Sequence, residues 1–171
     1  TAVAAARAMG AGSVLVTARH KHQAAEAMRL GADAALSPDG TELQEALADV
    51  TEGRGADLTI ESVGGESNAP LLQAVEVTRP QGRIVVLGGF RRPMTLDWME
   101  ILFKEQSILF SRMYSVMDGR HDFEIAIELM ASGRVDLKPM VTHTFPLEEI
   151  QRGFDTARSK STGSIKVQVR M

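Results

Sequence analysis

The sequence predicts an α/β fold, a doubly wound parallel sheet covered by helices, and three observations predict it. Short apolar strands alternate with helix-length amphipathic stretches along most of the chain. The strand-like runs, Gly82-Arg83-Ile84-Val85-Val86-Leu87-Gly88-Gly89 foremost, are apolar on both faces, as strands buried on both sides of a parallel sheet must be. No internal repeat, low-complexity tract or heptad pattern interrupts this rhythm. The 171 residues suit one domain or slightly more, and an apolar content of 44% is enough for an ordinary core.

The elements follow in order. Thr1 to Met9 is Ala-rich and reads as a helix interior whose small side chains allow close packing on a sheet. Residues 13–17 form a strand, and a helix over 22–30 closes at Gly31. Ala34-Ala35-Leu36 is a short strand ending in the turn cluster Ser37-Pro38-Asp39-Gly40, and Thr41 is placed to cap a helix from Glu42 to Val50. Leu58 to Val63 is a strand stopped by Gly64-Gly65, a helix spans 67–77, and the strand at 82–89 follows. A helix over Leu96–Phe103, a strand near 106–111 and a helix over His121–Ala131 complete the pattern.

The tail breaks the rhythm. Val135–Met140 is a Pro-containing connector, Val141–Phe145 a short strand, Pro146 opens a helix with two acids in its first turn, and Ser164–Val169 is a closing strand. A strand, a helix and a strand bury no core by themselves, so this part is expected to dock elsewhere. The chain also begins inside a helix, and the first strand of the sheet is expected upstream of Thr1. Isolated in this form, the chain is expected to aggregate through unpaired backbone and apolar surface.

Composition excludes several functions. A net charge of -3 supplies no basic field for bulk nucleic-acid binding. No apolar run approaches a membrane span and no leader-like segment opens the chain, so a cytoplasmic location is expected. The absence of cysteine removes disulfide scaffolds and thiolate metal sites. Four scattered histidines, His20, His22, His121 and His143, offer no clustered ligand set, so neither a metal site nor a catalytic residue is assigned to this chain.

The most informative stretch is Val14-Leu15-Val16-Thr17-Ala18-Arg19-His20-Lys21. As the second strand of a nucleotide-binding βαβ unit, its carboxyl end would face an adenosine ribose. A carboxylate there selects NAD, whereas a small residue followed by Arg admits a 2′-phosphate and neutralises it. Ala18 and Arg19 therefore read as a choice of NADP(H), with Arg19 as the main contact because a guanidinium pairs two phosphate oxygens, and His20 and Lys21 as supporting charges. Ser62, Val63 and Gly64 end one strand and Leu87, Gly88 and Gly89 end another, where parallel sheets bind ligands and glycine lets backbone come close. Gly10-Ala11-Gly12 follows a helix and opens a strand, the reverse of a phosphate cradle, and reads as a plain turn.

Gly10–Thr17, Leu30-Gly31-Ala32-Asp33, Gly55–Gly64, Gly82–Gly88 and Val141–Glu148 occur in the order and spacing of the zinc-type medium-chain alcohol dehydrogenases, and the chain resembles their polyol (sorbitol dehydrogenase-like) branch over essentially its whole length. The resemblance implies a Rossmann-type dinucleotide-binding domain over 1–139 lacking its first strand, and a segment 140–171 returning to a catalytic domain outside this sequence. It implies the cofactor-binding portion of an NADP(H)-preferring, zinc-dependent enzyme that moves a hydride between a secondary alcohol or polyol and its ketone, with NAD as the other possible cofactor. Zinc and proton relay would come from elsewhere, and a homo-oligomer, dimer or tetramer, is implied.

By the same resemblance, the Leu87 backbone and Phe110-Ser111-Arg112 flank the nicotinamide, Arg112 replacing the usual small residue. Lys166 matches the position where many members place an Arg on the cofactor phosphates. His143 reads as structural, Glu61 as satisfying local backbone donors, and Arg91-Arg92 as a solvated loop. Three alternatives stay open: a zinc-free quinone reductase-like oxidoreductase, a methyltransferase-like domain, against which Ala18 speaks, and a non-catalytic nucleotide-binding module that self-associates through a sheet edge or the surface around Trp98, Ile101, Leu102 and Phe103.

Overall fold

The computed structural model describes residues 1–39, 41–111 and 113–171. The chain divides into two compact units: Thr1–Gly40 with Phe123–Met171, and Thr41–Asp122. Gly40 of the expected turn cluster lies outside the described residues.

The first unit opens with α1 (Ala2–Ala8), β1 (Leu15–Thr17), α2 (Lys21–Arg29) and β2 (Ala34–Leu36). β1 and β2 pair in parallel, Leu15 opposite Ala34 and Thr17 opposite Leu36. Parallel neighbours require a crossover, and α2 supplies it. Val3, Ala27 and Ala32 form a small core with Val14, Val16 and Leu30 against them. Arg7, in the last turn of α1, gathers carbonyl oxygens that no helix or strand satisfies: those of Ala11 at 3.0 Å, Gly12 at 2.6 Å and Gly31 at 2.5 Å. It also pairs with Asp33 at 2.5 Å, whose other oxygen accepts from the Val14 N–H at 2.7 Å.

The second unit contains α3 (Glu42–Thr51), β3 (Ala56–Glu61), α4 (Ala69–Val77), β4 (Thr78–Val86), α5 (Trp98–Phe103) and β5 (Ser107–Phe110), with β3, β4 and β5 adjacent and parallel. Leu71, Ala74 and Val75, an i, i+3, i+4 stripe of α4, pack on Ile84 and Val86 of β4 and on Ile101 of α5. No residue separates α4 from β4: Thr78 caps the helix and starts the strand. Its hydroxyl donates to the Ala74 carbonyl at 2.6 Å. That proton being committed, the 2.6 Å contact with the Thr59 hydroxyl has Thr59 as donor. Lys104 and Gln106 cover the free carbonyls at the end of α4, Lys104 donating to Val75 and Glu76 and Gln106 to Val75 and Thr78.

An antiparallel ribbon, β6 (Val116–Met117) and β7 (Arg120–His121), turns at Asp118-Gly119, both left-handed with φ of 52° and 78°. It was not expected from the sequence, although Asp-Gly is a strong hairpin signal. The chain then re-enters the first unit through α6 (Asp122–Ala131), β8 (Val141–Pro146), α7 (Ile150–Arg158) and β9 (Lys166–Arg170), β8 and β9 pairing in parallel. The tail helix expected from Pro146 begins instead with a single tight turn over Leu147–Glu149. β9 starts two residues later than expected because the buried Ser164 hydroxyl is held by the Thr156 carbonyl at 2.9 Å. No helix among the described residues is long and apolar enough to cross a membrane.

Candidate functional site

In the first unit, the end of β1 carries an unusual concentration of positive charge. The Ala18 N–H donates to the Leu36 carbonyl at 2.9 Å, adding one rung beyond β1 before the chain turns into α2. Arg19 and Lys21 are exposed and make no hydrogen bond or ion pair among the described residues. His20 is the N-cap, with extended backbone and no capping bond from its side chain, and the first turn of α2 holds no acid. The rings of His20 and His22 stack with centroids 5.5 Å apart. A helix N-terminus carries partial positive charge and free N–H groups, so it attracts anions and is a poor place for cations. Arginine and lysine at an uncapped N-terminus therefore form a local excess of positive charge with no acid in the turn, and the two imidazoles stand beside them.

Lys166, the first residue of β9, is exposed.

In the second unit, the candidate residues lie just past the ends of their strands, not within them. β3 stops at Glu61 and β4 at Val86, so Ser62, Val63 and Gly64, and Leu87, Gly88 and Gly89, form two turns. The expected strands ran to Val63 and Gly89; the difference comes from Glu61, whose Oε1 accepts from the N–H groups of Val63 at 2.7 Å and Gly64 at 2.8 Å and bends the chain out of the ladder. The Glu61 carbonyl accepts from Leu87 at 2.7 Å and Gly88 at 3.2 Å. Gly64 has φ of 59°, and a Cβ there would stand 2.6 Å from the backbone N and O of Gly89, so the two turns touch at a point only glycine fits. Val63 is 72% exposed and Leu87 44%, and Phe110 at the end of β5 is 80% exposed. The Ser111 N–H bonds the Val86 carbonyl at 3.1 Å. Three neighbouring parallel strands thus end in exposed apolar side chains beside close-packed glycine backbone. Arg112 lies outside the described residues.

Other expectations resolve as follows. Gly10 to Gly12 is a helix-to-strand turn in which the Gly10 and Ala11 N–H groups donate to the Arg7 and Ala6 carbonyls and the Ala11 and Gly12 carbonyls accept from the Arg7 guanidinium. His143 sits on β8 beside the Thr142 hydroxyl at 3.0 Å. Arg92 pairs with Glu66 at 3.3 Å in an exposed loop. Ile101 does not belong to the exposed apolar surface assigned to it; it is buried in the core, while Trp98, Leu102 and Phe103 are exposed. No group of three or more His, Asp or Glu side chains able to hold a metal occurs among the described residues, so the donor set does not fit a zinc ion. Glu61 satisfies local backbone donors, as the sequence implies, those of Val63 and Gly64.

The model of one family, zinc-binding dehydrogenase, matches residues 1–132. The chain belongs to the zinc-binding dehydrogenase family. It is 32% identical over 168 residues to the L-threonine 3-dehydrogenase of Bacillus velezensis, an alignment covering 96% of this chain and 46% of that protein. The chain therefore spans about half the length of the curated relatives it matches. Among solved structures, a short chain alcohol dehydrogenase of Escherichia coli CFT073 in complex with NADH superposes with a TM-score of 0.83 at 24% identity, over 99% of this chain and 48% of that one. A zinc-binding dehydrogenase of Sinorhizobium meliloti 1021 bound to NADP gives 0.80 at 24%, with the same coverage. These two likenesses establish the α/β dinucleotide-binding-like fold of the family for this chain.

Proposed function

We propose that this chain is the cofactor-holding part of an NADP(H)-preferring, zinc-dependent dehydrogenase acting on a secondary alcohol or polyol. Residues 1–139 would serve the dinucleotide and 140–171 would return to the part that carries the zinc. The observation that carries the reading is the end of β1: Ala18 where an acid would contact ribose hydroxyls, followed by Arg19, His20 and Lys21 around the uncapped start of α2. A 2′-phosphate supplies the anion this turn lacks, with the Arg19 guanidinium pairing two of its oxygens. Lys166 would serve the pyrophosphate. The turns at Ser62–Gly64 and Leu87–Gly89, with Phe110 and Ser111, would hold the nicotinamide half; Arg112 belongs to the same proposal through the family resemblance.

When bound, the nicotinamide supplies hydride donor and acceptor chemistry. This chain's residues bind and orient it: cations neutralise phosphate, glycine backbone allows close approach, and Val63, Leu87 and Phe110 give the planar ring an apolar shelf. That relatives and structural neighbours are named threonine and alcohol dehydrogenases, one in complex with NADH and one with NADP, supports the reaction class and a nicotinamide cofactor. The intact enzyme is further proposed to be a cytoplasmic homo-oligomer, since Trp98, Leu102 and Phe103 leave an apolar surface uncovered.

The test is a titration of the intact protein with NADPH and NADH. NADPH should bind at least ~10-fold tighter, since one charge-assisted contact is worth roughly 1.5–3 kcal/mol. Ala18→Asp with Arg19→Ser should reverse the order, because the new carboxylate repels the phosphate and accepts from the ribose. Equal affinities in the unaltered protein would remove the reading.

A further inference from the structure

We propose that Glu61 is a positioning residue for the nicotinamide half of the cofactor: its buried side chain fixes the two glycine turns in the shape against which that half lies. The proposal rests on the cofactor reading above and adds a residue to it.

Glu61 is 3% exposed. Burying a carboxyl is costly, and it is usually compensated by full hydrogen bonding. Here only one oxygen is served, by the Val63 and Gly64 N–H groups, while Oε2 is buried with no hydrogen-bond partner among the described residues. Two backbone donors alone could be met by a smaller, neutral side chain. What the longer carboxyl adds is volume in a particular place. A Cβ at Gly88 would lie 2.3 Å from Oε2, 2.4 Å from the Gly64 nitrogen and 2.8 Å from the Gly64 Cα. The carboxyl thus fills the space that a side chain at position 88 would take, and it fills it from below the two turns.

The hydrogen bonding around this floor is closed at both ends. On one side the Glu61 carbonyl holds Leu87 and Gly88; on the other the Gly65 N–H donates to Gly89 at 2.9 Å and the Arg91 N–H to Gly65 at 3.0 Å, so that a parallel bridge resumes at Gly65 and Phe90. Between these anchors the ladder is interrupted over Ser62–Gly64 and Leu87–Gly89, and the single side chain holding the interruption in shape from within is Glu61. Its outward faces are the exposed Val63 and Leu87. Removing the carboxyl lets the turns collapse toward each other or re-pair, and either movement changes the surface offered to a ring, whereas β1 belongs to the other compact unit.

The experiment uses the intact protein and two probes, NADPH and 2′,5′-ADP, the latter carrying only the adenosine half. Glu61→Ala should weaken NADPH binding at least about ten-fold while 2′,5′-ADP binding stays within about two-fold of the unaltered protein. Glu61→Gln keeps an acceptor for Val63 and Gly64 but sets an amide NH₂ where no acceptor stands, and should show the same selective loss at smaller size; it carries the test if the alanine variant fails to fold. Equal weakening of both probes marks a merely structural role and overturns the proposal, as does unchanged NADPH binding in both variants. Unaltered protein that binds 2′,5′-ADP and NADPH with the Glu61 variants indifferent leaves the cofactor reading intact and removes this one; unaltered protein that binds neither probe removes both.

Discussion

Gly88 and Gly89 are neighbours in sequence, and replacing each by alanine should have opposite outcomes. Neither has a left-handed φ, so backbone conformation does not distinguish them. Surroundings do. At position 89 a Cβ meets nothing within 4 Å. At position 88 it meets the Gly64 nitrogen at 2.4 Å and the Glu61 carboxyl at 2.3 Å, and the first of these is backbone that cannot rotate away. Overpacking costs about 1–3 kcal/mol when side chains can adjust. Here the turn at Gly64 must shift bodily, and if the carboxyl leaves its place the Val63 and Gly64 N–H groups lose their acceptor, about 1–3 kcal/mol more. Gly88→Ala should therefore destabilise by about 3 kcal/mol or more, and Gly89→Ala should stay within about 0.5 kcal/mol of the unaltered protein. Denaturant titration of the intact protein reads this as a lower midpoint for the first variant at unchanged slope. Equal midpoints for the two variants would refute the packing argument for the turns.

Thr78→Val keeps the shape of a buried side chain but removes its bonds to Ala74 and Thr59; it should cost about 1–3 kcal/mol in the same titration, and combining it with Thr59→Val should add less than the sum of the singles. The Val14 N–H, and then the Arg7 guanidinium, hold the Asp33 carboxyl below its ordinary pKa of 3.8. Because the folded value is the lower one, this stabilisation is complete above the ordinary value and is lost as pH falls through the depressed one. Asp33→Asn should accordingly flatten the acid limb of a stability–pH curve, and a limb of unchanged steepness would count against the pairing.

Much of the fold was legible because its signals are local. Alternation of apolar runs and amphipathic stretches locates the main helices and the parallel strands, and the punctuation at Gly31 marks where α2 stops. The strand ends differ where a tertiary event decides them: the sequence marks Glu61 as satisfying local backbone donors, but not that its bonds to Val63 and Gly64 will end the ladder at Glu61. Ile101 was grouped with exposed neighbours because a six-residue helix has too few positions for periodicity to separate its faces, and only packing on Ile84 shows that it points inward. The hairpin at Asp118-Gly119 is a plain oversight, since the signal stands in the sequence. At the candidate site, the place of Ala18 and Arg19 just past the end of β1 is readable from the strand pattern alone. The glycine turns were readable as positions; the contact between Gly64 and Gly89 joins residues far apart in sequence and required coordinates.

The direct passage from α4 into β4 bears on where this chain can change length. The start of β4 already carries three extra residues between Thr78 and Arg83 opposite Ala56–Leu58, with Gln81 left-handed at φ of 58°, so it is the run Arg83–Val86 that is regularly paired. A residue inserted within that run would shift it by one, and since strand side chains alternate with period two, Ile84 and Val86 would exchange places with their outward neighbours. At the other end, Leu87 opens eleven residues before the helix at Trp98, and Ser62 opens a shorter stretch before Ala69. Insertions and deletions are absorbed in such connections at little cost to the core. Descendants of this sequence are thus free to lengthen or shorten the segments beside the glycine turns, and so to try new ligands, while the paired run Arg83–Val86 keeps a fixed count.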